Sequence, residues 1–165
     1  MSEGHKCHAL KSVRCAVLTI SDSRTEETDD SGKLIKESLQ ENGHSVAGYR
    51  ILKDELKDIK STVAELLDSD VQAIIVNGGT GISKRDVTVE AVSGLLEKTL
   101  DGFGDLFRML SYEEIGSSAM MSRALAGVAK GKIIICMPGS VGAVTLGMKK
   151  LVIPELGHMI WEANR

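Results

Sequence analysis

Apolar residues along the chain follow two different periods. Runs of consecutive, mostly β-branched apolar residues predict strands that are buried on both faces, as in a parallel sheet. Segments whose apolar residues recur every three or four positions predict amphipathic helices. The predicted strands span residues 13–20, 45–52, 71–76, 124–128 and 132–137. The predicted helices span residues 30–42, 56–67, 89–97, 141–151 and 154–161, and a further helix follows residue 105 with Leu106, Met109 and Leu110 buried.

Strands that alternate with helices predict a three-layer α/β/α domain with a mostly parallel sheet. In a chain of 165 residues, we expect residues 13–165 to form this single domain, after a flexible N-terminal tail of residues 1–12. Asp30 or Ser31 is the expected N-cap of the first helix.

A glycine-rich loop follows the strand predicted at residues 71–76 and opens the next helix. Gly78, Gly79 and Gly81 can adopt positive φ and leave no Cβ to hold a ligand away from the backbone. The first turn of a helix offers free N–H groups and a positive dipole end, which suit a phosphate. A tight turn is the alternative, because the loop matches neither the P-loop motif nor the third glycine of G-x-G-x-x-G.

Charged residues continue the same loop. Lys84 and Arg85 add two positive charges. Asp86 and Thr88 can each cap the helix, and Asp86 can instead hold a metal ion that binds a phosphate chain. The local sequence leaves both roles of Asp86 open.

Aspartates recur where the first three predicted strands end. Asp22, Asp54 and Asp86 follow the first, second and third strands. The carboxyl ends of parallel strands form one edge of the sheet, so the recurrence favours a divalent cation with a phosphate ligand. Asp54 as a helix N-cap, and Ser21 with Asp22 as a polar turn, are the alternatives.

A second turn resembles the first. Pro138, Gly139 and Ser140 follow the strand predicted at residues 132–137 and precede a helix of small residues. Its free N–H groups and the Ser140 hydroxyl could take another part of an anionic ligand.

Composition and charge exclude several classes of function. The net charge of −3, with only two Phe, two Tyr and one Trp, argues against nucleic-acid and membrane partners. The N-terminal residues 1–11 lack the apolar stretch of a signal peptide, so we expect a cytoplasmic protein. Three unevenly spaced cysteines predict no disulfide framework, with Cys15 and Cys136 in the core. His5, Cys7 and His8 form a small group of potential metal ligands whose role is open.

Six motifs in order resemble the MoaB/MogA family of molybdenum cofactor biosynthesis, closest to the MoaB branch. The resemblance covers about residues 13–158. The motifs are Ser21-Asp22-Ser23-Arg24, Asp30-Ser31-Gly32, Gly78-Gly79-Thr80-Gly81 with Arg85-Asp86-Val87-Thr88, Gly102-Phe103-Gly104 with residues 107–116, Ser122-Arg123-Ala124, and Pro138-Gly139-Ser140.

The resemblance implies a molybdopterin-binding, MogA-like fold that assembles as trimers or as hexamers made of two trimers. It implies a magnesium-dependent adenylyltransferase that uses ATP and molybdopterin to make adenylylated molybdopterin and pyrophosphate. Hand-over of the product to a molybdate-insertion protein would follow. The alternative is a non-catalytic protein that binds or carries molybdopterin. The related molybdate-insertion domain is a third option, but it normally belongs to a larger multidomain chain.

The resemblance also implies roles for individual residues. Asp54 and Asp86 match the two acidic residues associated with catalysis, and we assign them magnesium binding and orientation of the phosphates. Substrate or nucleotide binding is expected of the remaining positions. These are Ser21, Asp22, Gly78, Gly79, Thr80, Gly81, Arg85, Pro138, Gly139 and Ser140.

Overall fold

A six-stranded sheet forms the centre of the computed structural model, which describes residues 8–165. The strand order is β2-β1-β3-β6-β5-β4. The first four strands in this order pair in parallel, and β5 pairs antiparallel with both β6 and β4. The strands are β1 (Arg14–Ile20), β2 (Ser45–Leu52), β3 (Ala73–Asn77), β4 (Lys98–Thr99), β5 (Leu125–Ala129) and β6 (Lys132–Met137).

Helices cover both faces of the sheet. Buried residues of α1, α4, α5 and α6 pack in the core on one face, and those of α2 and α3 pack on the other. The helices are α1 (Asp30–Glu41), α2 (Leu56–Leu67), α3 (Thr88–Ser93), α4 (Asp101–Ile115), α5 (Val141–Gly147) and α6 (Ile153–Asn164), with a 3₁₀ helix (Gly116–Met121) after α4 and a π-helical turn (Met148–Val152) between α5 and α6. The predicted three-layer α/β/α fold is therefore confirmed.

The central strands are apolar throughout because each contributes to both cores. In β3, Ala73 and Ile75 face one core while Ile74 and Val76 face the other. This alternation is what a strand covered by helices on both faces requires. Cys15 and Cys136 are fully buried as predicted, and burial raises the pKa of each thiol to about 12.

The prediction for the helix after residue 105 was wrong in its start and in its buried face. The helix α4 begins at Asp101, and Leu106 and Met109 are 47% and 53% exposed. Gly104, Phe107 and Ser111 are buried instead. A Cβ at residue 104 would lie 2.8 Å from the carbonyl oxygen of Ala124, so Gly104 permits the close approach of the helix to β5. Two stripes satisfied the helical period, and the stripe that contains Gly104 is the buried one.

Two helix ends also differ from the prediction. The N-cap of α1 is Asp29, not Asp30 or Ser31, because the Asp29 carboxylate accepts a hydrogen bond from the N–H of Gly32 at 2.9 Å. The helix α3 ends at Ser93, and residues 98–99 form the short strand β4. Two residues carry too little hydrophobic pattern to predict such a strand.

Residues that precede β1 pack against α6. The His8 ring stacks on Trp161 with a centroid distance of 5.0 Å, and the Leu10 N–H donates to the Gly157 carbonyl at 3.2 Å. Of the predicted group of metal ligands, His5 and Cys7 lie outside the described residues. None of the helices formed by the described part of the chain has the length and apolar character needed to cross a membrane.

A buried carboxylate fixes α1 against β1 and β2. Asp29 is 3% exposed and accepts hydrogen bonds from the hydroxyls of Thr19 at 2.5 Å and Tyr49 at 2.6 Å. Burial by itself would raise the pKa of Asp29, but these hydroxyls and the Gly32 N–H hold it below its usual value. The ionised carboxylate thus ties two strands to the start of α1.

We predict that Asp29→Asn lowers the free energy of unfolding by about 2 kcal/mol at neutral pH, since hydrogen bonds to a charged acceptor are lost. Thermal unfolding should shift down by about 4–8 °C. Because the folded-state pKa of Asp29 is depressed, its contribution is fully present above the unfolded-state pKa and is lost as pH falls through the folded-state pKa. The difference between wild type and variant should therefore shrink below about pH 4. Asp30→Asn, at an exposed position in the same helical turn, is the control, and an equal loss in that variant would contradict the assignment.

Candidate functional site

The glycine loop has positive φ at two of the three glycines that its sequence offered for such a backbone. Gly78 has φ of 97° and Gly79 has φ of 66°, conformations that favour glycine. The Thr88 hydroxyl donates to the Gly78 carbonyl at 2.8 Å, and the Thr88 N–H donates to the Gly79 carbonyl at 3.0 Å. The first residue of α3 therefore holds the loop closed from within.

Asp86 closes a turn and does not cap α3. The N-cap position of α3 is Val87, while the Asp86 carboxylate accepts the Ser83 N–H at 2.8 Å. A Cβ at residue 81 would lie 2.8 Å from Asp86 Oδ2, so the carboxylate lies against Gly81. Burial by itself would raise the pKa of Asp86. Hydrogen bonding with Ser83, the nearby Gly81 N–H and the positive charge of Arg123 outweigh burial and hold the pKa below its usual value. Asp86 is therefore ionised at neutral pH, and its charge lies at the glycine loop.

Asp54 also lies against the glycine loop. The N-cap position of α2 is Glu55, and a Cβ at residue 79 would lie 3.1 Å from Asp54 Oδ1. Burial raises the pKa of Asp54, and the negative charges of Asp22 and Asp86 raise it further, against the positive charge of Arg85. The structure thus brings the three predicted aspartates into one electrostatic group, in which the pKa of Asp54 shifts up and those of Asp22 and Asp86 shift down.

Arg85 joins three loops through ion pairs. Its Nε and Nη2 donate to the Asp22 carboxylate at 3.1 and 2.8 Å, and its Nη1 donates to Glu55 at 3.2 Å. The Asp54 N–H donates to Asp22 Oδ1 at 3.3 Å. Arg85 and Asp22, both predicted as binding residues, therefore neutralise each other in this structure, and the local sequence had not indicated Glu55.

Ser21 has a local role at the same edge. Its hydroxyl oxygen accepts the N–H groups of Ser23 at 3.3 Å and Arg24 at 3.2 Å. These bonds close the polar turn that was the alternative interpretation of residues 21–24. Ser21 supports the shape of the loop after β1.

The second predicted turn packs directly on the first. A Cβ at residue 139 would lie 3.1 Å from Gly78 Cα, so Gly139 lets the two backbones meet. The Gly78 N–H donates to the Met137 carbonyl at 2.9 Å, and the Ser31 hydroxyl donates to the Gly139 carbonyl at 2.7 Å. The Ser140 hydroxyl caps α5 by accepting the Ala143 N–H at 3.3 Å.

A cavity of about 220 Å³ opens between the two turns and α4. Thr80 and Gly81 line it on one side, and Pro138 and Ser140 line it on another. The Thr80 hydroxyl is buried and makes no hydrogen bond with any residue in the described range, which is uncommon for a buried polar group. A larger cavity of about 440 Å³ lies at the opposite edge of the sheet, near Gln72 and Trp161. Its lining includes none of the three aspartates of the glycine-loop site.

The fit for magnesium rests on two carboxylates. Within residues 8–165, no group of three His, Cys, Asp or Glu side chains could hold a metal ion. Magnesium that binds phosphates needs only one or two carboxylates from the protein. Asp54 and Asp86 meet this requirement beside the glycine loop, whereas Asp22 is paired with Arg85.

Arg123 is the main site residue whose role the sequence did not indicate. Its guanidinium donates to the carbonyls of Gly81 at 2.7 Å and Asp86 at 2.9 Å, and it pairs with Glu90 on α3. Arg123 belonged to a recognised motif, but it reaches the loop from 37 positions along the chain. Local sequence rules carry no signal of such a contact.

Known proteins resemble this chain over almost all of its length. Residues 16–158 match the family model of a probable molybdopterin binding domain. The chain is 56% identical to molybdenum cofactor biosynthesis protein B of Bacillus cereus over 163 residues, covering 98% of this chain and 96% of the relative. It is 52% identical to the protein of the same name from Bacillus subtilis, again covering 98% and 96%.

Solved structures are similar over the same length. A crystal structure of molybdenum cofactor biosynthesis protein B superposes with a TM-score of 0.91 at 55% identity, covering 94% of this chain and 98% of the other. The tungsten cofactor synthesizing protein MoaB from Pyrococcus furiosus has a TM-score of 0.86 at 34% identity, with coverage of 95% and 100%. The chain therefore belongs to the molybdopterin-binding domain family that contains molybdenum cofactor biosynthesis protein B, as its motifs predicted.

Proposed function

We propose that this chain acts in molybdenum cofactor biosynthesis by transferring AMP from ATP to the terminal phosphate of molybdopterin. The observation that carries the proposal is the placement of Asp54 against Gly79 and of Asp86 against Gly81 in one glycine loop, beside the cavity of about 220 Å³. Family membership and the names of the relatives support the biosynthetic role. The resemblance of the motifs supports the reaction.

The chemistry needs no protein nucleophile. A terminal phosphate oxygen of molybdopterin attacks the α-phosphorus of ATP, the bond from that phosphorus to the bridging oxygen breaks, and pyrophosphate leaves with the bond electrons. Positioning and electrostatic stabilisation account for catalysis of this kind. Gly78, Gly79 and Gly81 let phosphates approach the backbone, and we assign the adjoining cavity, which Thr80 and Gly81 line, to the pterin.

Asp54 and Asp86 would hold magnesium. When bound, this ion neutralises phosphate charge in the transition state. Asp86 remains ionised because its pKa is depressed. Asp54 has a raised pKa from burial and from its carboxylate neighbours, and a cation would relieve that repulsion. Arg85 can exchange its exposed carboxylate partners for substrate phosphates, so we keep it as a phosphate-binding residue.

The direct test is an assay with molybdopterin, magnesium and ATP labelled at the α-phosphate. We expect labelled, adenylylated molybdopterin and one pyrophosphate for each product molecule. Tight binding of molybdopterin without either product would contradict the transferase and establish the alternative, a carrier of molybdopterin.

We predict that Asp86→Asn lowers kcat/KM for ATP by about 100-fold, because the site loses a charge that acts on the reacting phosphates. Asp70→Asn is the matched control, since Asp70 is an exposed aspartate at the opposite edge of the sheet. Steady-state kinetics would be compared at equal folded fractions, judged by thermal unfolding. Normal turnover in the Asp86 variant would reduce Asp86 to a residue that shapes the turn.

We further propose that the chain self-associates as a trimer or as two paired trimers through an apolar surface on α4 and the following 3₁₀ helix. Leu106, Met109, Tyr112, Ile115 and Met120 are between 47% and 74% exposed there. A surface patch of this kind is typical of an interface. The resemblance, not the patch, indicates three copies.

Sedimentation at micromolar concentration should give a trimer or hexamer for the wild-type chain. Met109→Glu should shift it towards the monomer, because a charge would be buried in the interface. Leu56→Glu is the control, since Leu56 is 44% exposed on α2, in the other helical layer. A monomeric wild type would contradict self-association, and an unchanged Met109 variant would place the interface elsewhere.

A further inference from the structure

Arg123 holds the glycine loop by its main chain and its side chain together. Its N–H donates to the Thr80 carbonyl at 3.1 Å. Its Nε donates to the Gly81 carbonyl at 2.7 Å, and its Nη2 donates to the Asp86 carbonyl at 2.9 Å. One residue therefore binds three carbonyl groups at the two ends of the turn that carries Asp86.

These bonds also orient the amide that faces the Asp86 carboxylate. In a trans peptide the C=O and the following N–H point in opposite directions. Because the Thr80 carbonyl points to Arg123, the Gly81 N–H of the same peptide points away from Arg123. A Cβ at residue 81 would lie 2.8 Å from Asp86 Oδ2, so Arg123 binds the Asp86 carbonyl and also orients the peptide beside the Asp86 carboxylate.

Glu90 aims the guanidinium. Both guanidinium Nη atoms contact its carboxylate, with Nη2 to Oε2 at 3.3 Å, from the first turn of α3. The planar, forked guanidinium group of Arg123 thus bonds to two backbone carbonyls of the loop and to the Glu90 carboxylate of α3 at the same time. Lysine cannot replace this arrangement, because a single ammonium group lacks the fork.

The exposure of the pair argues for a role in geometry. The Arg123 and Glu90 side chains are 32% and 47% exposed, and ion pairs this accessible contribute little to stability. The hydrogen bonds of Arg123 connect the segment before β5 with the loop after β3, and one of them ends on Asp86, a residue of the proposed chemistry.

We propose that Arg123, aimed by Glu90, is a positioning residue that holds the glycine loop and the Asp86 carboxylate in their working geometry. The catalytic part of this inference rests on the proposed function. The part that concerns the geometry of the loop does not.

The chain offers a matched control for this pair. Arg50 makes the same two-pronged contact with Glu65, with Nη1 to Oε2 at 3.1 Å and Nη2 to Oε1 at 2.9 Å, between β2 and α2. Arg123→Lys and Glu90→Gln would be compared with Arg50→Lys and Glu65→Gln. Each variant keeps the size or the hydrogen-bonding capacity of the residue that it replaces.

In the transferase assay, Arg123→Lys should lower kcat by about 10- to 100-fold, the loss expected from misplacing a catalytic group. KM for ATP should change by less than about twofold, because Arg123 acts through the orientation of Asp86, which is used in the transition state, and does not itself bind the nucleotide. Glu90→Gln should give a smaller loss in the same direction, and the two control variants should behave as the wild type.

Amide hydrogen exchange followed by NMR tests the geometry without activity. The Ser83 and Thr88 amides, which are bonded to Asp86 Oδ2 and the Gly79 carbonyl, should exchange faster in Arg123→Lys than in Arg50→Lys. Unchanged exchange and unchanged kcat in the Arg123 variant would overturn the inference. If that variant does not fold, Glu90→Gln against Glu65→Gln decides on the same two measurements. A wild-type protein with no transferase activity would refute the proposed function, and the exchange comparison alone would then decide the role of Arg123.

Discussion

The parallel pairing of β1, β3 and β6 is the constraint on which the site depends. Leu18, Val76 and Cys136 occupy the same level of the sheet in register. The three strands therefore end at the same edge, and the loops that follow them meet there. The strands are buried on both faces, with alternate side chains in the two cores. A shift of register by one residue would turn each side chain towards the wrong core. Burial in two cores thus fixes the position of a site that is itself half exposed.

Glycines allow these loops to pack closely. Gly139 lies against Gly78, and the chain turns sharply after β3 because Gly78 and Gly79 both adopt positive φ. A side chain at Gly139 would push the two turns apart, and one at Gly78 would meet the Ile20 carbonyl at 2.2 Å. A side chain at Gly79 would meet the Thr88 hydroxyl at 2.3 Å. Space for a ligand and contact between the loops therefore come from the same absence of Cβ atoms.

The electrostatics of the site follow from the unequal surroundings of its aspartates. Hydrogen bonding with Ser83 and the positive charge of Arg123 hold the pKa of Asp86 below its usual value. Asp54 is partly buried beside Asp22 and Asp86, and these surroundings raise its pKa. Asp22 is paired with Arg85. Residues of the same type thus acquire different roles, as expected where local hydrogen bonding and burial compete. Arg123 enters this balance from a distant segment, so the charge and shape of the loop depend on a contact across the fold.

Much of this protein follows from the sequence alone. The runs of apolar residues and the helical periods predicted the layers and most of the elements, because burial on one or both faces imposes a repeat that can be seen locally. The glycines and the strand-end aspartates indicated the candidate site, since their backbone and charge requirements are also local. The tertiary structure decided what depends on contacts between distant residues. Which stripe of α4 is buried was settled by the approach of Gly104 to β5, the role of Asp86 by the Ser83 turn, and the part played by Arg123 by its reach to the loop. A periodic pattern records that a residue is buried or charged, but only the folded chain decides which partner it meets.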